Sequence, residues 1–134
     1  DGTLRNNDLS WNQYANVLYL ETPTFVGFSH VVHNSTPFRY YDDDWTAGLN
    51  VQVLHVFMTQ LHSRYSNRDF FISGESYGGI YVPYLARAIF ERLQTGHFTN
   101  DRFKGIAMGN PNMDWYSRGL AAAMELHGMG TIAQ

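Results

Sequence analysis

Cysteine is absent from these 134 residues. That excludes a disulfide framework and any thiolate metal site within them, and it leaves the redox compartment open. Lysine is almost absent too, with Lys104 the only one. Nine basic residues against twelve acidic ones give a formal net charge of -3. The basic residues form no cluster or stripe, so a nucleic-acid or anionic-membrane partner has no electrostatic footprint. No uninterrupted apolar run approaches the length of a membrane span. Internal repeats, low-complexity stretches and linker-like segments are also missing.

What is present is apolar and aromatic. Hydrophobic residues make up 44%, and nine Tyr, nine Phe and three Trp supply an aromatic share of 16%. This composition describes a packed globular body with a large core or an apolar cleft, and the length suits one domain.

Along the chain, Ala15 to Glu21 is a short apolar run closed by Pro23 and predicts a buried strand. The stretch from Thr22 to Tyr41 carries Pro23, Gly27, Asn34 and Pro37 and predicts a loop. Asp42, Asp43 and Asp44 supply the N-cap and first-turn charge of a helix over roughly Trp45 to Arg64. Its apolar residues Trp45, Leu49, Val53, Val56, Phe57 and Leu61 predict the inward face. Asp69 to Ser73 predicts a second strand, Gly74 to Gly79 a tight turn, and Ile80 to Leu93 a helix capped near Gly96. Pro83 falls early in that helix. Phe103 to Met108 predicts a third strand, followed by the turn Gly109-Asn110-Pro111-Asn112. A last helix is expected over about Trp115 to His127.

Strands separated by such helices pair in parallel through crossovers, so the fold class is α/β. Three strands are few for a sheet covered on both faces. The expectation is therefore a partial fold, central parallel strands with flanking helices, with residues 1–134 forming part of a single domain truncated at both ends.

Gly74-Glu75-Ser76-Tyr77-Gly78 matches the G-x-S-x-G nucleophile elbow, and it stands in the strand-to-helix context that the elbow requires. A turn this sharp holds the serine in a strained backbone conformation, and Gly74, Gly78 and Gly79 are expected to remove the collisions that larger neighbours would make. The serine hydroxyl is then raised above the sheet edge. The N–H of Tyr77, at the helix start, faces the oxyanion of an attacked carbonyl. Two structural alternatives are an N-capping Ser76 in a glycine-rich turn and a phosphate-binding loop. The second lacks the Lys-Ser/Thr pair that follows a Walker loop.

The segment from Ile72 through Ser73-Gly74-Glu75-Ser76-Tyr77-Gly78-Gly79-Ile80-Tyr81-Val82 to Pro83 resembles the active-serine signature of the serine carboxypeptidases, cathepsin A-like lysosomal enzymes among them. Gly78 stands where that family usually has alanine. Two further blocks agree in order. Before the elbow come Ser10-Trp11-Asn12, Asn16 to Glu21 and Val26-Gly27-Phe28-Ser29. After it come Phe103-Lys104-Gly105-Ile106, Gly109-Asn110 and Asp114.

The resemblance implies an α/β-hydrolase fold in which Ser76 is the acylated nucleophile and the Tyr77 N–H is half of the oxyanion hole. It implies that Glu75 binds the C-terminal carboxylate of a peptide substrate. Two carboxyl groups at hydrogen-bond distance must share a proton, which links the motif to acidic pH and to a lysosomal, vacuolar or secreted enzyme. As a plain structural alternative, Glu75 is a helix-start acid stabilised by the macrodipole. The family loop commonly reads Pro-Ala-Gly-Val-Gly-Phe-Ser-Tyr. Here Pro23-Thr24-Phe25-Val26-Gly27-Phe28-Ser29-His30 places Phe25 where the family has glycine, which leaves pocket shape and substrate preference open.

The nucleophile needs an acid and then a histidine later in the chain. After Ser76 stand the acids Glu91, Asp101, Asp114 and Glu125 and the histidines His97 and His127. Asp114 with His127 is the one self-contained pair these offer. The resemblance instead implies both partners far beyond Gln134, and a glycine-rich oxyanion block ahead of Asp1. The expectation is an internal fragment of a larger enzyme, inactive alone.

Of the other histidines, His30 and His33 lie in a loop and His55 and His62 on one helix face. No carboxylate partner at metal-site spacing accompanies them, so no metal site and no cofactor are expected. Trp45, Phe57 and Tyr65 read as core, and Trp11 as packing. Asn34-Ser35-Thr36 is a sequon, so Asn34 is a candidate N-glycosylation site. The partner expected is a peptide C-terminus, and a homodimer is the oligomer that the resemblance leaves open. An esterase or acyltransferase on the same fold, and a non-catalytic homologue, are the competing functions.

Overall fold

A computed structural model describes residues 2–30, 42–114 and Met124. Contacts divide the chain into two units, Asp1–Ser35 and Thr36–Gln134.

In the first unit, the strand expected over Ala15 to Glu21 does not form, and no strand occurs among the described residues there. An apolar run becomes a strand only when a neighbouring edge satisfies its N–H and C=O groups. Among the described residues no edge does so, and Tyr19 stays 85% exposed. Order comes instead from short-range bonds. A 3₁₀ turn occupies Trp11–Gln13. Further on, Glu21 Oε2 accepts from the Phe28 N–H at 2.7 Å, closing the loop between them. Gly27 is left-handed (φ 58°), and a Cβ there would lie 2.5 Å from the Glu21 carboxylate. The left-handed backbone and this contact both favour glycine at that point. Phe25 is left-handed as well (φ 75°), at the position where the resembling family has glycine.

The second unit opens with helix α1, Asp43–Val56. Its start is as expected: the Asp42 carboxylate accepts from the Trp45 N–H at 2.7 Å, and Asp43 and Asp44 fill the first turn. Its inward face is not. Thr46, Ala47, Asn50 and Val51 are buried, whereas Trp45, Val53 and Val56 remain 37–44% exposed. The helix carries apolar residues on two sides, and its small ones let α2 approach closely. The helix also stops earlier than periodicity predicts. Phe57–Leu61 widens into a π-helical turn in which the Thr59 hydroxyl donates to the His55 carbonyl at 2.6 Å, and a 3₁₀ turn follows at Ser63–Tyr65. A hydroxyl bonded back to the preceding turn loosens the α-helical ladder there.

Strand β1 (Phe70–Glu75) and strand β2 (Phe103–Gly109) pair in parallel, with Ile72 opposite Ile106 and Glu75 opposite Gly109. Helix α2 (Gly78–Gln94) connects them. It begins two residues earlier than expected, which puts Pro83 in its second turn. Its end is a Schellman cap: the His97 N–H reaches the Arg92 carbonyl at 2.9 Å, the Gly96 N–H reaches Leu93 at 3.2 Å, and Gly96 is left-handed (φ 74°). The order helix, strand, helix, strand is a partial α/β arrangement. The helix expected over Trp115 to His127 lies outside the described residues apart from Met124.

The core lies between the two helices and one face of the sheet. Val51, Met58, Leu85, Ile89 and Phe98 form its centre, and Leu54, Phe57, Tyr65, Phe70, Ile72 and Phe103 pack around them. Phe57 and Tyr65 are thus core neighbours as expected, while Trp45 is not. Phe71 and Ile106 point away from this core and stay exposed. Asn100 is the polar pin. Only 2% exposed, it donates through Nδ2 to the Tyr65 and Arg68 carbonyls (3.1 Å each) and accepts the Arg102 N–H at 2.9 Å. It fixes the entry of β2 against the end of the π/3₁₀ segment, which sets the sheet and with it the elbow at the far end of β1.

Candidate active site

Strand β1 ends at Glu75, α2 begins at Gly78, and the chain reverses through Ser76 and Tyr77. Ser76 carries φ 56°, a left-handed conformation that a non-glycine residue adopts only at about 1–3 kcal/mol. The strain expected from the motif is therefore present at the serine itself. Ser76 is exposed, so its hydroxyl stands clear of the core. Tyr77 is the N-cap of α2 and returns to a right-handed conformation (φ -62°, ψ -14°). Its N–H therefore lies at the positive end of a helix of 17 residues.

The three glycines are not equivalent. A Cβ on Gly74 would meet Val82 Cγ2 at 2.9 Å and the Gly78 Cα at 3.1 Å. A Cβ on Gly79 would meet the main-chain O and N of Asn112 at 2.6 and 2.7 Å and Pro111 Cβ at 2.8 Å. At Gly78 a Cβ meets nothing within 4 Å. The expectation that Gly78 relieves a collision is corrected: its space is open, and a methyl group fits.

The turn after β2 belongs to the site, which the sequence reading missed. The Ser76 N–H donates to the Gly109 carbonyl at 3.1 Å. The Ser76 carbonyl accepts the Asn112 N–H at 2.7 Å and the Gly79 N–H at 3.0 Å. Asn110 within that turn is left-handed (φ 39°). Asn112 is 8% exposed, and neither its Nδ2 nor its Oδ1 has a partner among the described residues. The signal was the Gly-Asn-Pro-Asn string, which reads as a turn but does not say what the turn touches.

The Tyr77 hydroxyl donates to Asp43 Oδ2 at 3.5 Å, and its ring meets Tyr81 edge-on at 4.8 Å. Burial, and after it the Asp43 carboxylate, pushes the Tyr77 phenol above its ordinary range; burial and the neighbouring Tyr77 do the same for Tyr81. Both rings stay neutral, and the α1 start is tied to the residue after Ser76. Glu75 is exposed at the end of β1, next to Ser76 and in register with Gly109.

His97 follows the far end of α2, about 25 Å along the helix from Ser76, and bonds the Thr95 hydroxyl at 3.0 Å. It is not placed to serve the nucleophile. Asp114 is exposed, and His127 lies outside the described residues, as do His33, Glu125 and Asn34. The His55 ring packs 6.0 Å from Phe98 and the His62 ring 4.9 Å from Phe57, both structural placements. Among the described residues no group of three or more His, Asp or Glu gathers as a metal site, and no helix is long and apolar enough to cross a membrane.

Comparison with known proteins gives the family. The family model described as serine carboxypeptidase matches residues 1–134. Serine carboxypeptidase ctsa-3.2 of Caenorhabditis elegans is 40% identical over 112 residues, 84% of this chain and 22% of the relative. Serine carboxypeptidase ctsa-3.1 of the same organism is 42% identical over 115 residues, 84% of this chain and 20% of the relative. Serine carboxypeptidase-like 46 of Arabidopsis thaliana is 43% identical over 112 residues, 84% of this chain and 23% of the relative. The chain thus spans about a fifth to a quarter of the length of these relatives. It belongs to the serine carboxypeptidase family.

Proposed function

We propose that these residues carry the nucleophile of a serine-type carboxypeptidase with the α/β-hydrolase fold. The observation that carries this reading is Ser76 itself: an exposed, left-handed serine between a parallel strand and a helix N-terminus, in a chain of this family. The Ser76 Oγ attacks the carbonyl of the last peptide bond while a base takes its proton. The Tyr77 N–H donates to the oxyanion that forms. The leaving amino acid departs with a proton, and water then hydrolyses the acyl-enzyme.

Glu75, one residue before the nucleophile, binds the substrate's terminal carboxylate through a shared proton. That proton ties binding to acidic pH, in keeping with a lysosomal, vacuolar or secreted enzyme, for which Asn34 is the glycan site. The triad acid and histidine are assigned to the rest of the enzyme, as the family resemblance implies; among the described residues His97 is the one histidine after Ser76, and it is too far away.

The test is made on the full-length enzyme that contains this sequence. A fluorophosphonate probe is expected to modify Ser76, identified by peptide mapping, and Ser76→Ala to abolish both labelling and release of the C-terminal residue from a blocked dipeptide. Cleavage of simple esters with no action on that dipeptide would favour an esterase instead.

A further inference from the structure

We propose that the turn Gly109–Asn112 is a clamp on the nucleophile, and that Asn112 is a positioning residue acting on Ser76 through its main-chain N–H. The inference rests on the reading of Ser76 as nucleophile and adds what holds it. A left-handed serine persists only where its surroundings over-determine it. Both main-chain polar groups of Ser76 are bound by this one turn, the N–H by Gly109 O (3.1 Å) and the carbonyl by Asn112 N–H (2.7 Å). The second bond is shorter than the 3.0 Å bond that the elbow itself supplies from Gly79. A peptide group that close is admitted only because Gly79 has no side chain, since a Cβ would stand 2.7 Å from Asn112 N.

The Asn112 side chain does not explain the residue's place. It is 8% exposed and both of its amide atoms lack partners among the described residues, an arrangement that ordinarily destabilises. The position works through its peptide. Removing that one N–H leaves the Ser76 carbonyl with only the longer Gly79 bond, lets the serine relax from φ 56°, and moves Oγ off the line of attack.

The experiment uses the full-length enzyme and compares Asn112→Pro, which lacks the N–H, with Asn112→Leu, which keeps it and removes the unpartnered amide. Asn112→Pro is expected to lower kcat and the rate of fluorophosphonate labelling at Ser76 about tenfold with KM little changed, the effect of one lost clamp bond of roughly 1.4 kcal/mol. Asn112→Leu is expected to rescue both. Equal rates for the two variants would overturn the clamp, whether both are fast or both are slow. Should Asn112→Pro fail to fold, Gly79→Ala displaces the same peptide. The clamp then predicts the same fall in kcat at constant KM, and an unchanged kcat overturns it. A wild-type enzyme that the probe never labels at Ser76 would remove the nucleophile reading itself, an outcome distinct from a labelled enzyme indifferent to the clamp.

Discussion

Gly78 and Gly79 are neighbours in the same motif, yet the structure assigns them opposite responses to a methyl group. At Gly79 the added carbon would sit 2.6 Å from Asn112 O, 2.7 Å from Asn112 N and 2.8 Å from Pro111 Cβ. Two of these three are main-chain atoms of Asn112, whose N–H is held by the Ser76 carbonyl, so no flexible side chain can swing aside. Restoring ordinary contact requires the turn to retreat by roughly 0.7 Å, and overpacking of this kind costs about 1–3 kcal/mol. At Gly78 the same carbon meets nothing within 4 Å. Replacing glycine by alanine in a helix then stabilises, by at most about 1 kcal/mol. The helix gain is common to both positions, so the two single-methyl variants are expected to differ by the overpacking cost of roughly 1–3 kcal/mol, with Gly79→Ala the weaker fold. Urea denaturation of the full-length protein, followed by intrinsic fluorescence, measures the difference. Equal destabilisation by both variants, or a larger loss at Gly78, would refute the packing argument.

Two further outcomes follow from residues placed above. Asn100→Ala removes an amide that satisfies two carbonyls and one N–H and is expected to lower the stability of the full-length protein by about 3 kcal/mol; a change under about 1 kcal/mol would show that water replaces it. Glu75→Gln keeps a donor toward the substrate carboxylate at every pH, whereas the wild-type pair needs a shared proton that is lost as pH rises. The variant's KM for a C-terminal peptide substrate is therefore expected to rise less steeply with pH than the wild type's, and an identical pH profile would contradict the carboxylate-binding role.

The strand, the serine and the following helix were legible in the sequence because local rules fix them. Gly74 and Gly79 are required by close approach, Asp42 by unpaired N–H groups, and Gly96 by a left-handed cap. What was not legible depended on partners distant in sequence. The run Ala15 to Glu21 has strand composition but pairs with no edge among the described residues. Trp45, Val53 and Val56 have the right period, but α1 bears a second apolar side, and the small residues Thr46 and Ala47 decide which one meets α2. Asn112 reads as a turn residue, and only the pairing of β2 with β1 brings its peptide to Ser76. Gly78 was expected to relieve a collision as Gly74 and Gly79 do, whereas the open space around it fits the alanine that the resembling family usually has there.

The central claim is that Ser76 is an activated nucleophile and not a helix-capping serine in a glycine-rich turn. Fluorophosphonate labelling of the full-length enzyme, with the modified residue located by mass spectrometry, tests it most directly. The account predicts one stoichiometric adduct on Ser76 that is absent from Ser76→Ala. A folded wild-type enzyme that releases C-terminal residues from peptides while Ser76 stays unmodified would contradict it.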